Sequence, residues 1–302
     1  MLSLSIAAAV LTSVFISPQQ AQQLMATGAT VLDARDKGYV WGHLPGARPI
    51  SWLDYRDGWG RTGRLPADLD QLARRLGQLG VASERPVVVY GDAQRGFGEE
   101  GRIAWMLSYL GHPQVYMLDG GIAAWRQLGM PLSRGLAPAA ARGSDFAAHV
   151  QGGLRADKAA VAAALGRPET VILDVRSEQE WHGATPYFEA RGGRIPSARH
   201  LDWKQLFDDH GRLRRPDELA ALLRPLGIGT PDAATAAAPP AVIVYCTGGV
   251  RSAFVWTALR SLGVAGARNY DGSFWEWAAD RSLPVETDGS PRPADTAKRP
   301  HP

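Results

Sequence analysis

A long internal repeat constrains this chain more than any other feature of it. The segment TVLDARDKGYVWGHLPGARPISW, Thr30 to Trp52, returns as TVILDVRSEQEWHGATPYFEARGGRIPSARHLDW, Thr170 to Trp203. Each copy opens on a β-branched, apolar run that ends in Asp-x-Arg, at Asp33 and Arg35 and again at Asp174 and Arg176. Each then reaches an apolar-Pro-small-Ala-Arg turn, closing at Arg48 and at Arg199. Farther on, PVVVYG (Pro86–Gly91) is answered by AVIVYC (Ala241–Cys246), and LDGGIAAW (Leu118–Trp125) by YDGSFWEW (Tyr270–Trp277). Segments repeated in one order imply two copies of one domain, and a chain of 302 residues has room for both.

Within each copy, four consecutive apolar residues between breakers read as a buried parallel strand. A helical pattern follows, ending at Leu110-Gly111 and at Leu262-Gly263. Strands alternating with helices predict an α/β fold, a mainly parallel sheet flanked by helices in each domain. The domains are expected over 13–135 and 146–288, joined by a small-residue polar stretch around Ser133–Ser144. The Ala/Pro-rich insert Gly229–Pro240 is expected to be a surface loop, and the Pro-rich tail 289–302 to be disordered. Residues 1–16 are apolar, but no Lys or Arg precedes Arg35 and the run is too short to span a membrane. They are expected to lead into a first strand near Ser13–Ile16 of a cytoplasmic protein; a degenerate signal sequence, and with it a periplasmic location, is the alternative.

Hydrophobic content of 45% is ordinary for a globular protein, and a net charge of +3 from scattered arginines gives no case for nucleic acid. One cysteine allows no internal disulfide, no Cys-x-x-Cys pair and no Cys-rich zinc cluster. The seven histidines show no metal-ligand spacing, so neither a metal nor a cofactor is expected.

That cysteine stands in Tyr245-Cys246-Thr247-Gly248-Gly249-Val250-Arg251-Ser252. Apolar positions at Val250, Ala253, Phe254, Thr257 and Ala258 follow at helical spacing. Cys246 is therefore expected at the carboxyl end of a parallel strand and the amino end of a helix, where open α/β sheets bind ligands. Backbone N–H groups and the positive end of the helix lower a thiol pKa from its usual value near ~8.5. Gly248 and Gly249 let the chain curl so that successive N–H groups converge on an anion. Arg251 adds a positive charge at the far end of the loop, and its truncation is expected to weaken an anionic donor more than it harms stability. The bland reading is a βα turn with a packed cysteine; two glycines and an arginine are poor company for one.

Asp-x-Arg after a strand, Gly-Arg-Ile-Pro-Ser-Ala, Cys-x-x-x-x-Arg at a strand end and Asp271-Gly-Ser-Phe-Trp-Glu-Trp277 together resemble the rhodanese superfamily. The resemblance covers residues 13–287. It implies two tandem rhodanese-like domains of which only the second is active. It also implies a sulfurtransferase that moves sulfane sulfur from a small anionic donor to a thiophilic acceptor through a persulfide on Cys246. Thr247, Gly248, Gly249, Val250 and Arg251 are then the substrate-binding loop. In the first copy Gly91 replaces the cysteine and the loop is three residues longer, so that domain is expected to wall the cleft.

The loop Cys-Thr-Gly-Gly-Val-Arg matches neither the mercaptopyruvate-type nor the thiosulfate-type pattern. Glu180 stands where both types carry an arginine, and is expected to repel an anion unless Arg191 and Arg194 compensate. Thiosulfate is favoured as donor, 3-mercaptopyruvate is the second candidate, and a thiol or cyanide is the acceptor. Three alternatives share parts of this reading: a persulfide relay that acts with a thiol protein, a cysteine phosphatase, and a structural pseudo-enzyme. The phosphatase would need five residues between Cys and Arg, where four stand here. Asp174 and Arg176 are expected to pair structurally, Trp275 and Trp277 to pack, and His182 and His200 to lie outside the chemistry.

Overall fold

The computed structural model describes residues 13–58, 60–92, 94–137, 143–230 and 240–288; the apolar start, most of the Ala/Pro insert and the Pro-rich tail lie outside them. The first half supplies β1 (Phe15–Ile16), α1 (Pro18–Ala26), β2 (Thr30–Asp33), β3 (Arg48–Pro49), α2 (Leu69–Gln78), β4 (Val87–Tyr90), α3 (Glu99–Tyr109), β5 (Val115–Leu118) and α4 (Gly121–Gln127). The second supplies β6 (Arg155–Ala156), α5 (Lys158–Ala164), β7 (Thr170–Asp174), α6 (Glu178–Trp181), β8 (Arg199–His200) and α7 (Pro216–Leu223). It continues with β9 (Ala241–Tyr245), α8 (Arg251–Ser261), β10 (Ala267–Tyr270) and α9 (Ser273–Ala279).

Two five-stranded sheets result, ordered β1-β5-β4-β2-β3 and β6-β10-β9-β7-β8. Every strand pair is parallel. The two orders are one topology used twice, as the repeat requires. Central strands β4 and β9 carry uninterrupted apolar runs because helices cover both of their faces.

The repeated Asp-x-Arg does the same structural work in each sheet. Arg176 donates to Asp174 at 2.7 Å and to the Gly193 carbonyl at 2.8 Å, while the Tyr245 hydroxyl donates to Asp174 at 2.6 Å. Arg35, Asp33, Gly42 and Tyr90 repeat these bonds. In the second domain both charges are fully buried, and such a pair is tolerated because each faces the other, although Arg176 Nη1 has no hydrogen-bond partner among the described residues. It ties the central strand to the returning turn.

The domains share one hydrophobic core, which runs from Leu32 and Val89 through Trp105 to Phe254 and Val244. Its centre is α3 packed on α8. A Cβ at Gly101 would overlap the Phe254 backbone, so the missing side chain sets how closely the helices approach. Two bonds related by the repeat close the contact. Asp271 accepts the Leu65 N–H at 2.9 Å, and Asp119 accepts the Leu213 N–H at 2.8 Å. Both donors lie in a Gly-Arg-Leu triplet, Gly63–Leu65 and Gly211–Leu213. The connector runs along the first domain: Ser144 bonds Gly77, His149 bonds Leu110 and Gln151 bonds Tyr109, with Phe146 buried. Among the described residues no helix is long and apolar enough to cross a membrane.

Candidate active site

Cys246 follows directly on β9, and its backbone is held from α9. Its N–H donates to Ser273 Oγ at 3.1 Å, its carbonyl accepts from the Phe274 N–H at 3.0 Å, and the Thr247 carbonyl accepts from the Trp275 N–H at 2.9 Å. Ser273 has the left-handed φ of 53° that its counterpart Gly121 also has. A non-glycine residue there is strained by roughly 1–2 kcal/mol. Its hydroxyl justifies the strain, receiving Cys246 and donating to the Tyr270 carbonyl at 2.7 Å. Nothing in the motif reading pointed to Ser273; the signal was Asp-Gly-Ser standing where the first copy has Asp-Gly-Gly.

The two loop glycines next to the sulfur stand where a side chain would not fit. Gly249 has φ +75°, and a side chain there would overlap the Asp271 backbone. A side chain at Gly248 would enter the Trp275 ring. Burial pushes the Cys246 thiol up. The Arg251 charge, the Ser252 N–H and hydroxyl and the Gly248 N–H outweigh it, and the thiol ends below its ordinary value. Ser252 lies 2.7 Å from Asn269 Oδ1, which braces it.

Glu180 acts otherwise than its charge suggests. Its carboxylate takes both Arg251 terminal nitrogens at 2.7 Å and the Thr247 hydroxyl at 2.6 Å. The Ser177 N–H and hydroxyl complete its shell. Burial pushes Glu180 up, but the Arg251 bonds and those of Thr247 and Ser177 bring it down to about 2. Instead of repelling an anion directly, it occupies the cation that an anion would use. Ser-x-x-Glu, Ser177 to Glu180, is a capping box at the start of α6, and this aims the carboxylate inward.

Arg191 and Arg194 do not compensate. Arg191 is spent on the carbonyls of Trp277, Ala278, Asp280 and Leu283, where it closes the end of α9. Arg194 pairs with Glu286 and Asp288 and lies over the Trp181 ring. Neither lines the pocket. His182 sits between Glu178 and Asp288 and His200 bonds the Arg176 carbonyl, also away from the thiol. Trp277 packs in the core, but Trp275 is a wall of the site.

The pocket over Cys246 encloses about 200 Å³. The second domain lines it with Thr247, Gly248, Val250, Arg251, Tyr187 and Trp275, and the first with Asp36, Trp52, Leu53, Phe97 and Glu99. Phe97 and Tyr187 meet edge to face across the cleft, with ring centres 5.7 Å apart. In the first domain the matching site is closed: a Cβ at Gly91 would overlap the Glu100 carboxylate. Glu100 holds the place in α3 that Ser252 holds in α8.

The rhodanese-like domain family matches residues 17–128 and again 157–280. The chain belongs to the rhodanese family. A thiosulfate sulfurtransferase of Azotobacter vinelandii is 33% identical over 82% of this chain and 87% of its own length. A probable 3-mercaptopyruvate sulfurtransferase of Pseudomonas aeruginosa is 32% identical over 82% and 86%, and the sulfur carrier protein TtuD of Thermus thermophilus 30% identical over the same shares. The crystal structure of SseA from Escherichia coli, described as a 3-mercaptopyruvate sulfotransferase, shares the fold. It superposes with a TM-score of 0.74 at 24% identity, over 86% of this chain and 98% of that one. This rhodanese is a sulfurtransferase with a small sulfur donor and a sulfur acceptor as substrates.

Proposed function

We propose that Cys246 carries the transferred sulfur as a persulfide, taking it from a small anionic donor and passing it to a thiol or cyanide. The observation that carries this is the chain's single thiol, set against Arg251 and the N–H groups of Gly248 and Ser252 in a pocket that both domains wall. In the first half-reaction the Cys246 thiolate attacks the sulfane sulfur of the donor, and the donor leaves as an anion. The N–H groups of Gly248 and Ser252 that stabilise the thiolate then stabilise the anionic persulfide in the same place.

Thiosulfate is the favoured donor and 3-mercaptopyruvate the second. Because Glu180 neutralises Arg251, the loop offers the donor hydrogen bonds without a net charge, and weak donor binding is expected. Protein incubated with thiosulfate and desalted is expected to gain one sulfur, about 32 Da, and to lose it to cyanide. Cys246→Ser is expected to gain nothing and to lose turnover by roughly 10⁴-fold or more. Turnover with no mass change would mean direct transfer between bound substrates and would sink the persulfide mechanism.

A protein acceptor is the second reading. Leu53, Phe97 and Phe188 are exposed on the elements that border the pocket, an apolar rim suited to a docked thiol protein. Persulfide transfer to a thiol protein at a higher kcat/KM than to small thiols would favour it.

A further inference from the structure

Arg102, in the middle of α3, is 1% exposed and stands where the internal repeat places Phe254 in α8. A core position that one copy fills with phenylalanine needs no charge for the fold. Arg102 Nη2 donates to the Gly63 carbonyl, and the guanidinium lies 4.8 Å from the centre of the Trp105 ring. Its Nε and Nη1 have no hydrogen-bond partner among the described residues. A cation buried in this way is costly unless another charge answers it.

The carboxylates around it are engaged elsewhere. Asp271 opposes the charge of Arg102, but it takes Arg155 at 3.0 Å and the Leu65 N–H at 2.9 Å. Glu180 is bound to Arg251, and Glu189 takes the Tyr187 N–H at 3.1 Å. Asp36 and Glu99 line the Cys246 pocket, yet they also border a second cavity that Arg35, Lys37, Arg95 and Arg126 line, and Lys204 opposes Glu99. The other anion that acts on Arg102 is the Cys246 thiolate. Burial pulls Arg102 down to about 10, with Asp271 and Cys246 holding it up against Arg155, so it is charged at neutral pH. The backbone between them is in contact. A Cβ at Gly63 would overlap the carbonyls of Gly248 and Asp271, so the residue that Arg102 grips lies directly on the loop that holds the sulfur.

We propose that Arg102 is a positioning residue for sulfur transfer: the first domain lends its charge across the domain joint to the Cys246 thiolate and to the persulfide that succeeds it. The persulfide part rests on Cys246 as the sulfur carrier. The domain without a thiol thereby contributes electrostatics to the reaction as well as a wall.

The test is the pH profile of alkylation by iodoacetamide, a neutral reagent that reads the thiolate of the chain's single cysteine. Arg102→Gln keeps an N–H donor and loses the charge, Arg102→Met loses both, and Arg102→Lys keeps the charge. In the Gln and Met variants the rate near pH 6 is expected to fall about tenfold, while the plateau at high pH stays within about twofold of wild type. Arg102→Lys is expected to stay within about threefold of wild type throughout. Loading of sulfur from thiosulfate, read as added mass, is expected to slow by the same factor near pH 6 in the neutral variants. A profile unchanged in Arg102→Gln, or displaced as far in Arg102→Lys as in Arg102→Gln, overturns the proposal. Loss of fold in both neutral variants makes Arg102 a structural cation and overturns it too. Wild-type protein that alkylates on the expected profile but gains no sulfur from thiosulfate or 3-mercaptopyruvate overturns the persulfide and leaves the effect of Arg102 on the thiolate standing.

Discussion

Glu180 and Arg251 form a unit in which neither residue retains the properties it has alone. By sequence alone Arg251 is a loop charge whose loss harms donor binding more than stability; the structure reverses that order. Its side chain is only 6% exposed and Glu180 only 1%. Arg251→Ala therefore leaves a buried carboxylate unpaired and is expected to cost about 3–5 kcal/mol of stability. Replacing both partners by methionine is expected to recover most of that loss in a denaturant titration, without restoring a low thiol pKa at Cys246. A single alanine variant as stable as wild type would show the pair to be solvated. Glu100 gives the opposite case. It is buried, its Oε2 has no hydrogen-bond partner among the described residues, and burial pushes it up to about 8. The unfolded chain ionises this group near 4.5, so between that pH and 8 folding must take up a proton. The contribution is complete below 4.5 and is lost as pH rises through 8. Glu100→Gln is expected to flatten the decline and to raise stability at pH 8 by roughly 2–4 kcal/mol. Parallel melting curves for wild type and variant from pH 5 to 9 would show that Glu100 is ionised in the fold.

At the level of elements, α3 and α8 carry the joint between the domains, and α8 also carries the loop that holds Cys246. Glycine inside α3 is a poor helix former by about 1 kcal/mol against alanine, so propensity alone predicts that Gly101→Ala stabilises. The overlap with the Phe254 backbone predicts the reverse: overpacking that costs about 1–3 kcal/mol. The loop is expected to feel the shift, because Phe254 lies in the first turn of α8. A drop in kcat/KM together with the melting temperature is the expected result. An alanine variant more stable than wild type would mean that the helices separate at no cost.

For the whole molecule, the shared core and the paired bonds Asp271–Leu65 and Asp119–Leu213 make the two domains one cooperative structure. A single unfolding transition is expected in calorimetry, with van't Hoff and calorimetric enthalpies equal. Two resolved transitions would show that the joint is weak. The second domain alone would expose the face of α8 around Phe254 and lose five residues of the pocket lining, so it is expected to transfer sulfur more slowly than the whole chain.

The repeat, its strand and helix punctuation and the Cys246 loop were legible in the chain itself. Uninterrupted apolar runs, helical spacing, glycine turns and a lone thiol at a strand end are local properties, and local sequence carries them. The partners of charged side chains were not legible. Arg191, Arg194 and Arg251 are equivalent as letters, yet one closes a helix end, one pairs on the surface beside Glu286, and one is sealed against Glu180. Ser273, Glu99 and Asp36 likewise became part of the site, and the Gly-Arg-Leu contacts part of the domain joint, only when residues far apart in the chain were brought together. Covalent order determines which groups exist and what each backbone segment prefers. Which charge meets which is decided by the packing of α3 on α8, because electrostatic and hydrogen-bond energies depend on separations of a few ångströms that only the tertiary fold sets.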